Sequence, residues 1–223
     1  MYVPAHFAEA DPAAARALID ENPFGLLVVP LGDGVELAHL PFVLAPQPLP
    51  HGVLYAHVAK QNPLATLLAH PRRVIAVFTG PHAYISPRWY AAPSKSVPTW
   101  NYMVTHAHGV ATPIEGRDAV LRVLADLTDR FEAGVAEPWS IASADPTYLE
   151  TMWTGVVAFA IAIERFETKM KLSQNRSAED RLRVASALRA HGGAGDEEIA
   201  REIEERTMRS AGSGRGGKAG NRE

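Results

Sequence analysis

A chain of 223 residues, 47% apolar and 21% charged, is long enough to bury a core and ordinary for a globular protein. Its formal net charge of -3, with both signs interspersed, gives no field for drawing in a polyanion, and the absence of cysteine excludes disulfides, thiolate zinc sites and iron–sulfur clusters. No basic stretch precedes an apolar run in MYVPAHFAEADP, and the longest apolar run, Val156 to Ile163, is too short to span a bilayer, so a soluble cytoplasmic protein without membrane partners is expected.

Asp11-Pro12 pairs a capping residue with proline at the first helical position, and the spacing predicts a helix from Asp11 to Glu21. Phe24 to Pro30 (FGLLVVP) reads as a strand, Leu31 to Gly34 as a hairpin turn and Val35 to Leu44 as the returning strand. Pro46, Pro48, Pro50 and Gly52 mark a surface loop. A strand over Val53 to Val58 leads to Asn62-Pro63, which starts a helix reaching about His70, and Val74 to Thr79 forms the next strand. Ser96 to Thr112 is extended, and Val120, Leu121, Val123, Leu124, Leu127 and Phe131 have helical spacing within Gly116 to Ala133.

Gly155 to Phe166 has period two: Val157, Phe159, Ile161 and Ile163 alternate with Ala158, Ala160 and Ala162. Such a strand has one bulky face and one alanine face able to accept a helix closely. Two helices follow, Ala178 to Ala190 with Leu182, Ala185 and Leu188 on one side, and Asp196 to Met208 with Ile199 and Ile203. Some six or seven strands with turn connections and a few helices indicate a mainly β, α+β fold: a β-barrel core decorated with helices.

Three groups of residues could carry chemistry. In LYAHVAKQNP, a strand delivers His57 and Lys60 to a helix capped by Asn62, where backbone N–H groups, the helix dipole and a full positive charge favour a phosphate monoester. The plain alternative is a solvated lysine beside a capped helix. Tyr84, Ser86, Trp89, Tyr90, Trp100 and Tyr102 offer rings with polar tips, suited to a flat heteroaromatic ligand or equally to a core or a subunit interface. His106 and His108 share one strand face; with no carboxylate or cysteine at ligand spacing, hydrogen-bonded structural histidines are expected and no metal site. The run KMKLSQNR (169–176) could close over a phosphate or carboxylate, or simply cap the next helix.

The opening MYVPAHF, then PFGLLVV, AHLPFVL, LYAHVAKQNP, VFTGPHAYISPRWY, SVPTWNYMVTHAHG and KMKLSQNRS occur in the order found in PaiB-type FMN-binding negative transcriptional regulators. From Met1 to about Leu188 the chain resembles that family. Met170 stands where tryptophan is expected in similar proteins, and the loop Ala91 to Ser96 lacks an expected glycine.

The resemblance implies a dimeric split β-barrel akin to that of pyridoxamine-phosphate oxidases, with FMN at the subunit interface. Residues 1–176 would form this domain, 177–209 a C-terminal helical extension and 210–223 a disordered tail. It assigns the FMN phosphate to His57, Lys60 and Asn62, and the flank of the isoalloxazine to the backbone near Leu40 and Pro41 and to Trp100 and Asn101. Ser86, Trp89, Tyr90, Lys171, Gln174 and Arg176 would close the site. The family name implies repression, yet there is no clear helix-turn-helix, and the C-terminal arginines (Arg181, Arg183, Arg189, Arg201, Arg206, Arg209) are largely cancelled by neighbouring glutamates. DNA is therefore a weakly supported partner. The regulatory role expected is indirect or ligand-coupled, and the alternatives are an FMN-dependent oxidoreductase and a haem-binding or haem-degrading barrel.

Overall fold

The computed structural model describes residues 1–45 and 50–213. Pro46 and Pro48 of the expected loop, and 214–223 of the expected tail, lie outside the described residues. Among those described there are eight strands and six α-helices: β1 (Ala8–Glu9), α1 (Pro12–Glu21), β2 (Phe24–Pro30), β3 (Val35–Pro41), β4 (Val43–Ala45), β5 (Val53–Ala59), α2 (Pro63–Leu67), β6 (Arg72–Ile85), β7 (Thr99–Pro113), α3 (Arg117–Glu132), α4 (Pro146–Trp153), β8 (Val156–Lys171), α5 (Ala178–His191) and α6 (Asp196–Ser213). The strands hydrogen-bond in the order β3-β2-β6-β7-β8-β5-β4, with β1 paired to β8, and the expected α+β class holds. No helix of the described residues is long and apolar enough to cross a membrane.

The chain divides into two compact units, and β6, β7 and β8 each run from one into the other. The first holds Met1, Ala10–Thr79 and Thr105–Glu167; the second holds Tyr2–Glu9, Gly80–Val104 and Thr168–Glu223.

In the first unit, Asp11 caps α1 by accepting from the Ala13 N–H (2.8 Å), with proline at the first helical position. β2 and β3 pair antiparallel from Phe24↔Pro41 to Pro30↔Val35. The returning strand expected as far as Leu44 breaks at Phe42. Pro41 has no N–H to donate, and the Phe42 N–H turns to the Pro23 carbonyl (2.9 Å) while its ring meets Phe78 edge-on in the core. Strand β6 runs past the expected stop at Thr79. Pro81 is tolerated there because β2, which pairs with β6 at Val77, Ala76 and Ile75, has already ended.

The period-two reading of β8 is realised. Phe159, Ile161 and Ile163 enter the main core with Leu27, Val29, Leu54, Val58 and Phe78, whereas Ala158 lies beneath Val120, Val123 and Leu127 of α3. Each fully buried large side chain contributes on the order of 1.5–3 kcal/mol. Phe131, placed on the same stripe by spacing, is exposed at the end of α3. Helix α4 was not foreseen, although Asp145-Pro146 repeats the signature of α1 and the Asp145 carboxylate accepts from the Tyr148 N–H (2.9 Å).

In the second unit, α5 and α6 bury Val184, Ala185 and Leu188 with Ile199, Ala200 and Ile203. Leu182 is 44% exposed: the stripe centres on Val184, Ala185 and Leu188, and Leu182 lies roughly a third of a turn away. Met170, the departure from the family pattern, is buried and its sulfur accepts from the Arg206 guanidinium (2.7 Å). The loop without its glycine needs none, because no residue from Ala91 to Ser96 has positive φ.

Close packing makes one glycine of the first unit irreplaceable. A Cβ on Gly109 of β7 would stand 2.2 Å from the Ala162 carbonyl oxygen of β8. Gly109→Ala is expected to lower stability by about 2–3 kcal/mol through forced separation of these backbones, read from the urea midpoint; an unchanged midpoint would show that β7 and β8 are not held this closely.

Candidate functional site

Strand β5 pairs with β8 so that His57 stands opposite Ala158 and shares a face with Tyr55. Burial pushes the His57 imidazole below its usual value of 6.5, and its buried Nδ1 has no hydrogen-bond partner. Lys60 follows the strand: its N–H donates to the Gly155 carbonyl (2.8 Å), and its exposed side chain makes no ion pair among the described residues. Lys60 borders a cavity of about 380 Å³, walled on its apolar side by Pro113, Ile114, Val120, Trp153 and Val156. Glu115 also lines it.

The helix-terminus part of the phosphate expectation is not realised. Helix α2 spans five residues rather than reaching His70, since His70 precedes Pro71 and is biased away from helical backbone. Pro63 has no N–H, the Leu64 N–H donates to Asn62 Oδ1 (2.9 Å) and the Ala65 N–H to the Asn62 carbonyl (2.8 Å). Asn62 therefore engages the donors an anion would use, leaving the Lys60 ammonium as the positive element. Leu40 is buried in the main core and Pro41 is half-buried, so at Leu40 only backbone could meet a ligand.

In the second unit, Tyr90, Asn101, Lys171 and Arg176 line one cavity of about 200 Å³. The other four residues expected there do not line it. Ser86 accepts from the Arg88 N–H (3.3 Å), the Trp89 ring lies 6.0 Å from that of His191, and Trp100, 53% exposed, sits 6.0 Å from both His82 and Tyr84. Gln174 is a turn-former: its Oε1 accepts from the Leu172 N–H (2.7 Å) and its amide donates to the Met170 carbonyl. That turn puts Ser173 at φ 62, the left-handed region that serine rarely adopts.

Phe7, Val97, Thr99, Ser173 and Asn175 complete the cavity and were not assigned to the site from the sequence. Ser173 lies inside the quoted motif KLSQNRS, but nothing local signals that Phe7 or Thr99 would meet it.

His106 and His108 do share a face of β7, and Glu167 of β8 joins them, with one donor atom from each within 4.8 Å of the others. Sequence distance hid this carboxylate, because strand pairing alone brings residue 167 to residue 108. The Met1 ammonium and Arg165 bond Glu167 and hold its carboxyl down at about 2, and Arg165 contacts His108 Nδ1 (3.0 Å). A cation entering here would meet two cations already in place. Burial lowers the pKa of both imidazoles.

Comparison with known proteins gives consistent matches. A family model described as "Putative FMN-binding domain" matches residues 1–165. An uncharacterised Emericella nidulans protein is 31% identical over 92% of this chain and 97% of its own. The Bacillus subtilis protease synthase and sporulation protein PAI 2 is 31% identical over 84% of this chain and 89% of its own. Among solved structures, the FAD and heme binding protein from Mycobacterium smegmatis aligns with TM-score 0.59 at 20% identity, covering 84% of this chain and 81% of that one. The flavocytochrome Anf3 from Azotobacter vinelandii gives 0.58 at 14% identity, with 87% and 81% covered. The fold they share with this chain is the flavin-binding split barrel.

His57, His106 and His108 stay neutral longer in the folded chain than in the unfolded one, which takes up protons from pH 6.5 downward. Proton uptake by the unfolded state favours unfolding, so stability falls as pH drops below about 6.5. The thermal midpoint is expected to decline between pH 7.5 and 5.5, and to decline less in His57→Gln; equal declines would show that His57 is as well solvated folded as unfolded.

Proposed function

This chain belongs to the FMN-binding domain family, with FMN as its cofactor, and we propose that it holds the FMN phosphate at Lys60 and acts as a homodimer with a ligand-coupled regulatory role. The observation that carries the site assignment is the Lys60 side chain, without an ion pair among the described residues, at the mouth of a ligand-sized cavity. His57, with its unpartnered buried Nδ1, stands near it in sequence, and Asn62 caps the helix that follows. In the first unit the backbone at Leu40 and Pro41 would flank the ring. When bound, FMN supplies redox chemistry of its own, and this chain's residues bind and orient it.

The dimer reading is supported by one sheet face. Cross-strand partners Phe24 and Pro41, Leu26 and His39, Val28 and Leu37, and Pro30 and Val35 carry no carboxylate or ammonium, and Ile75 and Val77 of β6 extend the face. Phe24 is 66% and Leu37 51% exposed. A contiguous apolar face of this kind marks an association surface.

Direct DNA binding has little electrostatic support in the helix pair. Arg183 pairs with Glu179, Arg189 with Glu197 and Glu204, Arg206 with Glu9 and Glu202, and Arg209 with Glu205. A regulatory role is therefore read as acting through the bound flavin or another small ligand.

Lys60→Ala is expected to weaken FMN about 10- to 100-fold while leaving riboflavin, which lacks the phosphate, unchanged in fluorescence titration. Equal loss for both flavins would move the phosphate away from Lys60. Leu37→Glu is expected to shift the protein to monomer in sedimentation; a persisting dimer would exclude this face.

A further inference from the structure

The cavity of the second unit combines features that a flavin flank does not explain. Its volume, about 200 Å³, is below the roughly 300 Å³ from which drug-sized ligand pockets begin. It holds two cations and no carboxylate. Lys171 donates to Thr99 Oγ1, and the Arg176 guanidinium stacks on the buried Tyr90 ring at 4.5 Å. Neither makes an ion pair among the described residues. Burial, reinforced by Lys169, lowers the Lys171 pKa, so a negative group entering here would relieve a desolvated charge.

The floor is Asn101, 1% exposed, whose Nδ2 donates to Ser173 Oγ (3.0 Å) while its buried Oδ1 has no partner. A buried acceptor left unpaired costs about 1–3 kcal/mol, and a ligand with a hydrogen to give removes that cost. The hydroxyl that receives Nδ2 belongs to the one described non-glycine residue with positive φ, which the Gln174 turn holds in place.

A ligand matching this cavity must bring negative charge for Lys171 and Arg176 and a donor hydrogen for Asn101 Oδ1. Carboxylate and sulfate bring the charge but, near neutral pH, no proton. A phosphate group brings the charge and, in its hydrogen phosphate form, the hydrogen: inorganic phosphate keeps one at neutral pH, and a monoester, second pKa about 6, keeps one as its monoanion. We propose that Lys171, Arg176 and Asn101 form a seat for the phosphate of a small phosphorylated ligand, distinct from the flavin phosphate at Lys60. The seat rests on the flavin reading only in placing that other phosphate at Lys60.

The test titrates inorganic phosphate and, separately, sulfate into the full-length protein, FMN-loaded and FMN-free, by calorimetry. Wild type is compared with Lys171→Met, Arg176→Gln and Lys60→Ala, each checked for folding by circular dichroism. The proposal expects saturable phosphate binding with FMN present, at least about tenfold weaker sulfate binding, and at least about tenfold loss in Lys171→Met and Arg176→Gln but not in Lys60→Ala. Absence of saturable phosphate binding, equal binding of sulfate, or unaffected variants would overturn it. Binding of phosphate only to FMN-free protein, with Lys171→Met weakening FMN but not riboflavin, would overturn the separate ligand by giving the seat to the flavin. Failure of FMN to bind at all would refute the flavin reading and leave the phosphate titration of FMN-free protein to decide the seat.

Discussion

The alternation of bulk along β8 is the constraint on which the first unit depends. A strand has two faces at a period of two, and here each is claimed by a different partner: branched and aromatic side chains fill the main core, and alanine admits α3. A slip of one residue would exchange the faces, driving Phe159 against α3 and alanines into the core. Gly109 fixes the same strand from the β7 side, where any side chain would collide with the Ala162 carbonyl. Because β8 continues unbroken from Val156 to Lys171, its register also determines the order in which Thr168, Lys169, Met170 and Lys171 are presented at its far end.

Charge is distributed by a different rule. Most arginines of α5 and α6 have glutamates one turn or one helix away, which neutralises the surface without removing its solubility. Lys60, Lys171 and Arg176 stand outside that pattern. A partly buried cation kept without a carboxylate, as Lys171 is, carries a desolvation cost.

Much of this was legible in the sequence because it depends on local chemistry. Cap-and-proline pairs set the starts of α1 and α2, and periodicity set α3, α5, α6 and the two faces of β8. The errors arise where a neighbour overrules the local signal. The strand expected to end at Thr79 continues as β6 through Gly80-Pro81, where β2 on one side has already ended; Leu182 reads as core, yet the packed stripe runs beside it. At the candidate sites the motifs did not give each side chain's bonding. Asn62 and Gln174 turned out to bond backbone, and Glu167, Phe7 and Thr99 were invisible because only strand pairing or folding over brings them to their partners.

Ser173 carries a consequence for anyone seeking a hardier version of this protein. In its left-handed conformation glycine would be the more comfortable residue, and a stability-guided redesign would choose it. That exchange would strip away the hydroxyl that steadies Asn101. The sturdier molecule would thus be the less discriminating one, an instance in which robustness and recognition are traded at a single backbone angle.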